Sequence, residues 1–157
     1  MTLDEQSTGA STRPLAGRKI ITGVIGDDIH MIGMRLVEHA LRAAGATIVP
    51  LGVLTPVKDF VDAAIETAAD AVFVSSSNGH AYVSAEGIRD AFVEAGLDDA
   101  LLYIGGNLAV GRQDSWAMIE ARFHEIGFDR VFEPGTDPEA SIELLAGDLA
   151  AREAARA

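Results

Sequence analysis

The chain has 157 residues, of which 48% are apolar and 6% aromatic, with no cysteine and a formal net charge of -12. That length holds one domain with a full core. The missing cysteines exclude a disulfide framework and a thiolate metal site, and the acidic balance argues against nucleic acid. Residues 1–17 are polar, with Ser, Thr, Gly and Pro and no apolar h-region, and read as a disordered leader of a cytoplasmic protein. No apolar run reaches the roughly 20 residues that span a bilayer, so no membrane segment is expected. Lys19–Ile25 reads as a buried first strand. Met31–Ala44 reads as a helix with Ile32, Leu36, Val37, Ala40 and Leu41 on its buried face. Gly45 stops it. Thr47–Leu51 is the second strand. Thr55 is expected to cap a second helix with Pro56 at its first position, running to about Ala68. Asp70–Ser75 is the third strand, and Ser84 is expected to cap a third helix ending at Ala95 before Gly96. Leu101–Ile104, a helix over Asp114–Ile126, and the short strand Arg130–Phe132 follow. Asp137 caps a last helix with Pro138 at its start, and residues 151–157 are expected to fray.

Strands alternating with helices specify an α/β fold, a doubly wound five-stranded parallel sheet of the flavodoxin-like, Rossmann-like kind, over residues 18–150. Such folds bind ligands at the carboxyl ends of their strands. There the chain places Gly26-Asp27-Asp28-Ile29-His30, then Ser75-Ser76-Ser77-Asn78-Gly79-His80, then Gly105-Gly106-Asn107, and finally Glu133-Pro134-Gly135-Thr136. Asp28 stands two residues before His30 and can hold one ring nitrogen, which leaves the other free for a metal. Gly33 lets a flat ligand approach the helix start. The plainer alternative makes Asp28 a helix cap and His30 an exposed loop residue. No histidine pair has the i, i+4 spacing of a zinc site, and the glycine pair lacks the ending of a P-loop. No nucleophile elbow is present. A response regulator would need an aspartate where Ser75 and Ser76 stand.

Asp28-x-His30-x-x-Gly33 resembles the motif of the cobalamin-binding domains of mutases and methionine synthase. The resemblance extends from Lys19 to Leu149 and is to the small, cobalamin-binding subunit of glutamate mutase. It runs through Gly23-Val24-Ile25-Gly26, Gly52-Val53-Leu54, Ala63-Ala64-Ile65-Glu66-Thr67, Val74-Ser75-Ser76 and Gly105-Gly106-Asn107. It continues in Val110-Gly111-Arg112-Gln113, Gly127-Phe128-Asp129-Arg130-Val131 and Pro134-Gly135-Thr136. The family usually reads S-S-L-Y-G-Q-G-E after the third strand. Here Ser77 replaces an apolar residue and Tyr82 an acidic one, which puts the identity of the partner and the substrate in question.

The resemblance implies adenosylcobalamin as cofactor and a radical interconversion of L-glutamate and (2S,3S)-3-methylaspartate. It implies that His30 replaces the cofactor's dimethylbenzimidazole on cobalt and that Asp28 is its hydrogen-bond partner. It also implies that Ser75 contacts the buried base, and that Gly105 and Gly106 lie beside the nucleotide tail, with Pro134, Gly135 and Thr136 near it. Ile29, Ser76, Ser77, Gly79 and Asn107 complete the expected cofactor site. A separate large barrel subunit is implied to bind glutamate and cap the corrin, so no catalytic residue is expected on this chain and the chain alone should be inactive. A non-catalytic corrinoid carrier, or the small subunit of a related mutase with another substrate, is the alternative. His80 reads as a polar surface residue of the loop, with a second ligand or proton donor as the alternative, while His39 and His124 carry no assigned role.

Overall fold

The structure is a computed structural model that describes residues 13–111 and 113–157. Most of the expected leader, and Arg112 of one family-like stretch, lie outside the described residues. Of the rest of the leader, Leu15 is fully buried, and its N–H donates to the Ala44 carbonyl at 2.9 Å.

Five strands form one parallel sheet: β1 (Lys19–Val24), β2 (Thr47–Pro50), β3 (Ala71–Ser76), β4 (Leu101–Gly106) and β5 (Arg130–Val131). Their spatial order is β2-β1-β3-β4-β5. The helices are α1 (Ile32–Ala43), α2 (Val57–Thr67), α3 (Ala81–Ser84), α4 (Ile88–Glu94), α5 (Trp116–Ile126) and α6 (Pro138–Arg156). β3 is buried at every residue, as expected for a central strand covered on both faces.

Alternate residues divide the core. Ile21, Val72, Val74, Leu102 and Ile104 meet Phe60 of α2, Phe92 of α4 and Phe123 of α5 on one face. Ile20, Val24, Phe73 and Tyr103 meet Leu41 of α1 and Leu145 and Leu149 of α6 on the other. Chain direction reverses its spread between β1 and β3, so the loops after those two strands separate and open a crevice. Two glycines let the strand ends turn there. Gly26 (φ +73°) enters the loop after β1 in a left-handed conformation, and a Cβ would lie 2.3 Å from the Ser84 hydroxyl. Gly106 (φ +111°) ends β4, where a Cβ would lie 2.0 Å from the Ser76 carbonyl oxygen.

Several expected boundaries are corrected. α1 buries Met34, Glu38 and Leu41, whereas Ile32 and Leu36 are exposed. Apolar spacing misplaced this face because Glu38 is inside, accepting a hydrogen bond from the Thr22 hydroxyl at 2.7 Å. Thr55 does not cap α2. Pro56 occupies the cap without a side-chain hydrogen bond, and Thr55 instead bridges to Ile25 of the first strand's exit. Ser84 ends the short α3, and Gly87 in a left-handed conformation starts α4. Ser115 caps α5 through the Met118 N–H. The expected frayed tail is helix to Arg156, tied down by ion pairs from Arg152 to Asp70 and from Arg156 to Asp99.

Candidate functional site

The loop after β1 is organised by one carboxylate. Asp28 is 1% exposed. Its Oδ1 accepts from the His30 N–H at 2.8 Å and from His30 Nδ1 at 2.6 Å. Its Oδ2 accepts from the Ser77 N–H at 2.5 Å and from the Ser76 hydroxyl at 3.2 Å. Burial raises the carboxyl pKa, but these four donors outweigh it and hold the group down to about 2. An ionised carboxylate only accepts, so the proton sits on Nδ1 of His30 and the lone pair of the neutral ring is on Nε2. The His30 side chain is 61% exposed, and its Nε2 faces no protein partner among the described residues. The cap of α1 is Met31, without a side-chain bond. Asp28 therefore orients His30 and does not cap the helix.

Beside this pair lies a cleft of about 430 Å³ between the amino ends of α1 and α6 and the carboxyl ends of β3, β4 and β5. Of the residues expected to hold a cofactor, Gly33, Ser75, Ser77, Gly105, Gly106, Asn107, Pro134, Gly135 and Thr136 line it. Asp28, Ile29, His30, Ser76 and Gly79 do not line it. Asp28, Ser76 and His30 form the adjoining hydrogen-bonded cluster, and Ile29 is an exposed apolar side chain on the rim. A Cβ on Gly33 would meet nothing within 4 Å, so the surface above the helix start is open. A Cβ on Gly105 would reach Phe132 at 3.4 Å, within ordinary contact.

Sequence reasoning missed the apolar floor. Phe73 and Phe132 line the cleft on either side of Tyr103, at ring-centroid separations of 5.0 and 5.6 Å from it. Tyr103 donates its hydroxyl to Asp148, which Arg130 grips at 3.0 and 2.8 Å. Burial pushes the Tyr103 pKa up, and the Arg130 hydrogen bonds hold Asp148 below its ordinary value. This trio fixes α6 against the sheet beneath the cleft. An aromatic within β3 and another just after β5 were the available signal. Sequence reasoning also missed Leu54, 56% exposed at φ +55°, whose N–H donates to the Asp28 carbonyl.

Gly79 and His80 belong to a second cluster on the rim. Asp27 accepts from Asn78 Nδ2 at 2.9 Å and from His80 Nδ1 at 3.3 and 3.4 Å. Those bonds, Asn78 first, hold Asp27 below its ordinary pKa. Tyr82 turns away to α5, edge-on to Phe123 and beneath the Arg122 guanidinium. His39 is exposed, and His124 bonds the Phe128 carbonyl at 2.9 Å in a structural role at the end of α5.

No three side chains of the His, Cys, Asp or Glu type gather into a metal site among the described residues. A metal at His30 would then have one protein donor and bring its other ligands with it. A free imidazole nitrogen beside an apolar-floored cleft fits a macrocyclic metal cofactor with a planar appendage. Residues 18–143 match the B12 binding domain family. The chain is 51% identical over 130 residues to a glutamate mutase sigma subunit of Carboxydothermus hydrogenoformans, covering 83% of this chain and 94% of that one. It is 50% identical over 132 residues to glutamate mutase sigma subunit 1 of Haloarcula marismortui, covering 84% and 86%. Among solved structures, the Methanosarcina barkeri monomethylamine corrinoid protein superposes with a TM-score of 0.67 at 27% identity, covering 86% of this chain and 59% of that one.

Proposed function

The chain belongs to the B12 binding domain family and within it to the glutamate mutase sigma subunits, and from this premise we propose how its residues serve a two-subunit mutase. The observation that carries the reading is the Asp28–His30 pair with Nε2 free at the edge of the cleft. When bound, adenosylcobalamin supplies the carbon-centred radical that starts the interconversion of L-glutamate and (2S,3S)-3-methylaspartate.

This chain's residues bind and orient. His30 would supply Nε2 to the cobalt, and Asp28, bonded to Nδ1, holds the ring in the tautomer that leaves Nε2 available. The cleft would hold the nucleotide end of the cofactor. Phe73 and Phe132 give an apolar floor for the base, Ser75 a hydroxyl, and Gly105, Gly106 and Gly135 a surface without side chains. Ile29, Ile32, Leu36 and Leu54 are exposed apolar residues around this mouth. They suit a surface that a flat cofactor and a second protein cover together.

Glutamate recognition falls to the partner, a large barrel subunit. Arg18, Arg130, Arg152 and Arg156 are committed to Asp70, Glu153, Asp148 and Asp99. Most of these pairs lie at the amino end of the sheet, away from the site. A radical open to water would be lost, so closure by the partner also protects the chemistry. Cytoplasmic location is part of the same proposal and is tested by fractionation.

The test is a cobalamin titration followed by EPR of the cobalt(II) form. Base-off binding with nitrogen coupling from a protein histidine is expected. Binding with the cofactor's own base still on cobalt would overturn the assignment. Turnover of glutamate should appear only after a large subunit is added. Turnover by this chain alone would refute the division of labour.

A further inference from the structure

Two consecutive aspartates each hold a histidine. Asp28 bonds Nδ1 of His30, and Asp27 bonds Nδ1 of His80 across a separation of 53 positions. The two rings are alike in exposure, with side chains 61% and 63% accessible. Neither Nε2 has a protein partner among the described residues. Consecutive α-carbons are about 3.8 Å apart, so both pairs stand on the same rim.

The loop carrying His80 is braced against the His30 loop. Asn78 Nδ2 donates to Asp27, the His80 N–H donates to Asn78 Oδ1 at 3.0 Å, and the Ser76 hydroxyl, whose one proton is shared with Asp28, lies 3.3 Å from the same oxygen. Ser76 and Ser77 in turn hold Asp28. Yet the His80–Asp27 bonds themselves are long and exposed, so they add little to folding.

The cleft for the nucleotide lies on the face of the sheet that carries α1 and α6. His80 immediately precedes α3, whose Ala81 belongs to the core on the opposite face. A flat macrocycle ligated at His30, with its tail in the cleft, would extend over the end of the sheet towards the second face, where the Asn78–His80 loop stands. The corrin edge carries carboxamide side chains, which both donate and accept.

We propose that His80, positioned by Asp27, is a second contact to the cofactor, its Nε2 accepting an N–H from a carboxamide on the corrin edge remote from the nucleotide tail. The inference rests on the cobalamin reading above and goes beyond it by assigning a ring-edge residue in the loop where this chain departs from its family. Asp27 keeps the proton on Nδ1, as Asp28 does for His30, and so keeps the Nε2 lone pair available.

The experiment titrates hydroxocobalamin, and separately cobinamide, which lacks the nucleotide, into the full-length chain and its His80→Ala and His80→Gln variants. One hydrogen bond lost corresponds to about three- to tenfold weaker binding. His80→Ala should lose this factor for both ligands, because the contact is to the ring and not to the tail. His80→Gln should recover most of it, since its amide oxygen accepts. The cobalt(II) EPR spectrum of His80→Ala should keep the coupling from His30. Unchanged affinity in His80→Ala, a loss confined to the ligand with the nucleotide, a Gln variant no better than Ala, or disappearance of the His30 coupling would each overturn the inference. Wild-type protein that takes up no cobalamin would overturn the underlying reading and this inference with it.

Discussion

Replacing Asp28 by Asn tests the site at its most buried group. The carboxylate has two oxygens, and each accepts two hydrogen bonds. An amide has one acceptor atom, so its NH2 must confront donors on one side. Facing Oδ2's partners, it meets the Ser77 N–H head-on. Facing Oδ1's partners, it meets the His30 N–H, and the ring must move its proton to Nε2 to accept, which hides the lone pair that would bind a metal. The depression of the Asp28 pKa from its ordinary 3.8 to about 2 corresponds to about 2 kcal/mol of stability at pH 7. The side chain is inaccessible to solvent, so screening does not reduce this figure. We expect Asp28→Asn to lower Tm by roughly 4–8 °C and cofactor affinity by roughly 10–100-fold. The group's folded pKa is depressed, so its contribution is fully present above pH 3.8 and is lost as pH falls towards 2. Urea unfolding of the two proteins should thus show a constant gap from pH 7 to about 4, closing only below that. Calorimetry and cobalamin titration read both quantities. Equal Tm and equal affinity in the variant would show that the four-donor network does not hold His30.

His30→Gly removes an exposed ring but keeps the N–H that Asp28 accepts, so it should cost only about 1 kcal/mol of stability. It should abolish the histidine nitrogen coupling in cobalt(II) EPR; persistence of that coupling would show that another residue is the ligand. Gly106→Ala places a methyl 2.0 Å from the Ser76 carbonyl oxygen at φ +111° and should cost more than about 3 kcal/mol, whereas Gly33→Ala, within α1 and with nothing within 4 Å, should raise Tm slightly and weaken cofactor binding. A reversed order of these two melting temperatures would refute the packing argument. Sedimentation with a large subunit should show weak association that adenosylcobalamin strengthens, by the same factor as the subunit strengthens cofactor binding; association indifferent to the cofactor would contradict a shared site.

The sheet, its parallel order and the loops that meet at its carboxyl end were legible because strand and helix periods alternate cleanly from Lys19 onward. The family resemblance supplied the cofactor, the subunit type and the roles of Asp28 and His30. The α1 face was misread because two effects oppose hydropathy there. Glu38 is buried with a hydroxyl partner from β1, and Ile32 and Leu36 stay exposed beside the site. Pairing between distant loops, such as Asp27 with Asn78 and His80, leaves no local pattern in a sequence. Nor does a left-handed Leu54, whose conformation depends on the Asp28 carbonyl it meets. Cap residues failed where a loop had a tertiary duty, as Thr55 does beside Ile25.

The residues that line the cleft run in chain order from Gly33 to Ser141, and the carboxylate beside it is satisfied only when residue 28 meets residues 76 and 77. Nearly the whole chain must therefore exist before the cavity does. At about 5–20 residues per second of synthesis, roughly 5 to 20 s separate the appearance of its first wall from that of its last. A growing polypeptide offers the nucleotide loop no seat during that interval. Cofactor loading is thus a step that follows folding, and the supply of corrinoid acts on finished protein rather than on the nascent chain.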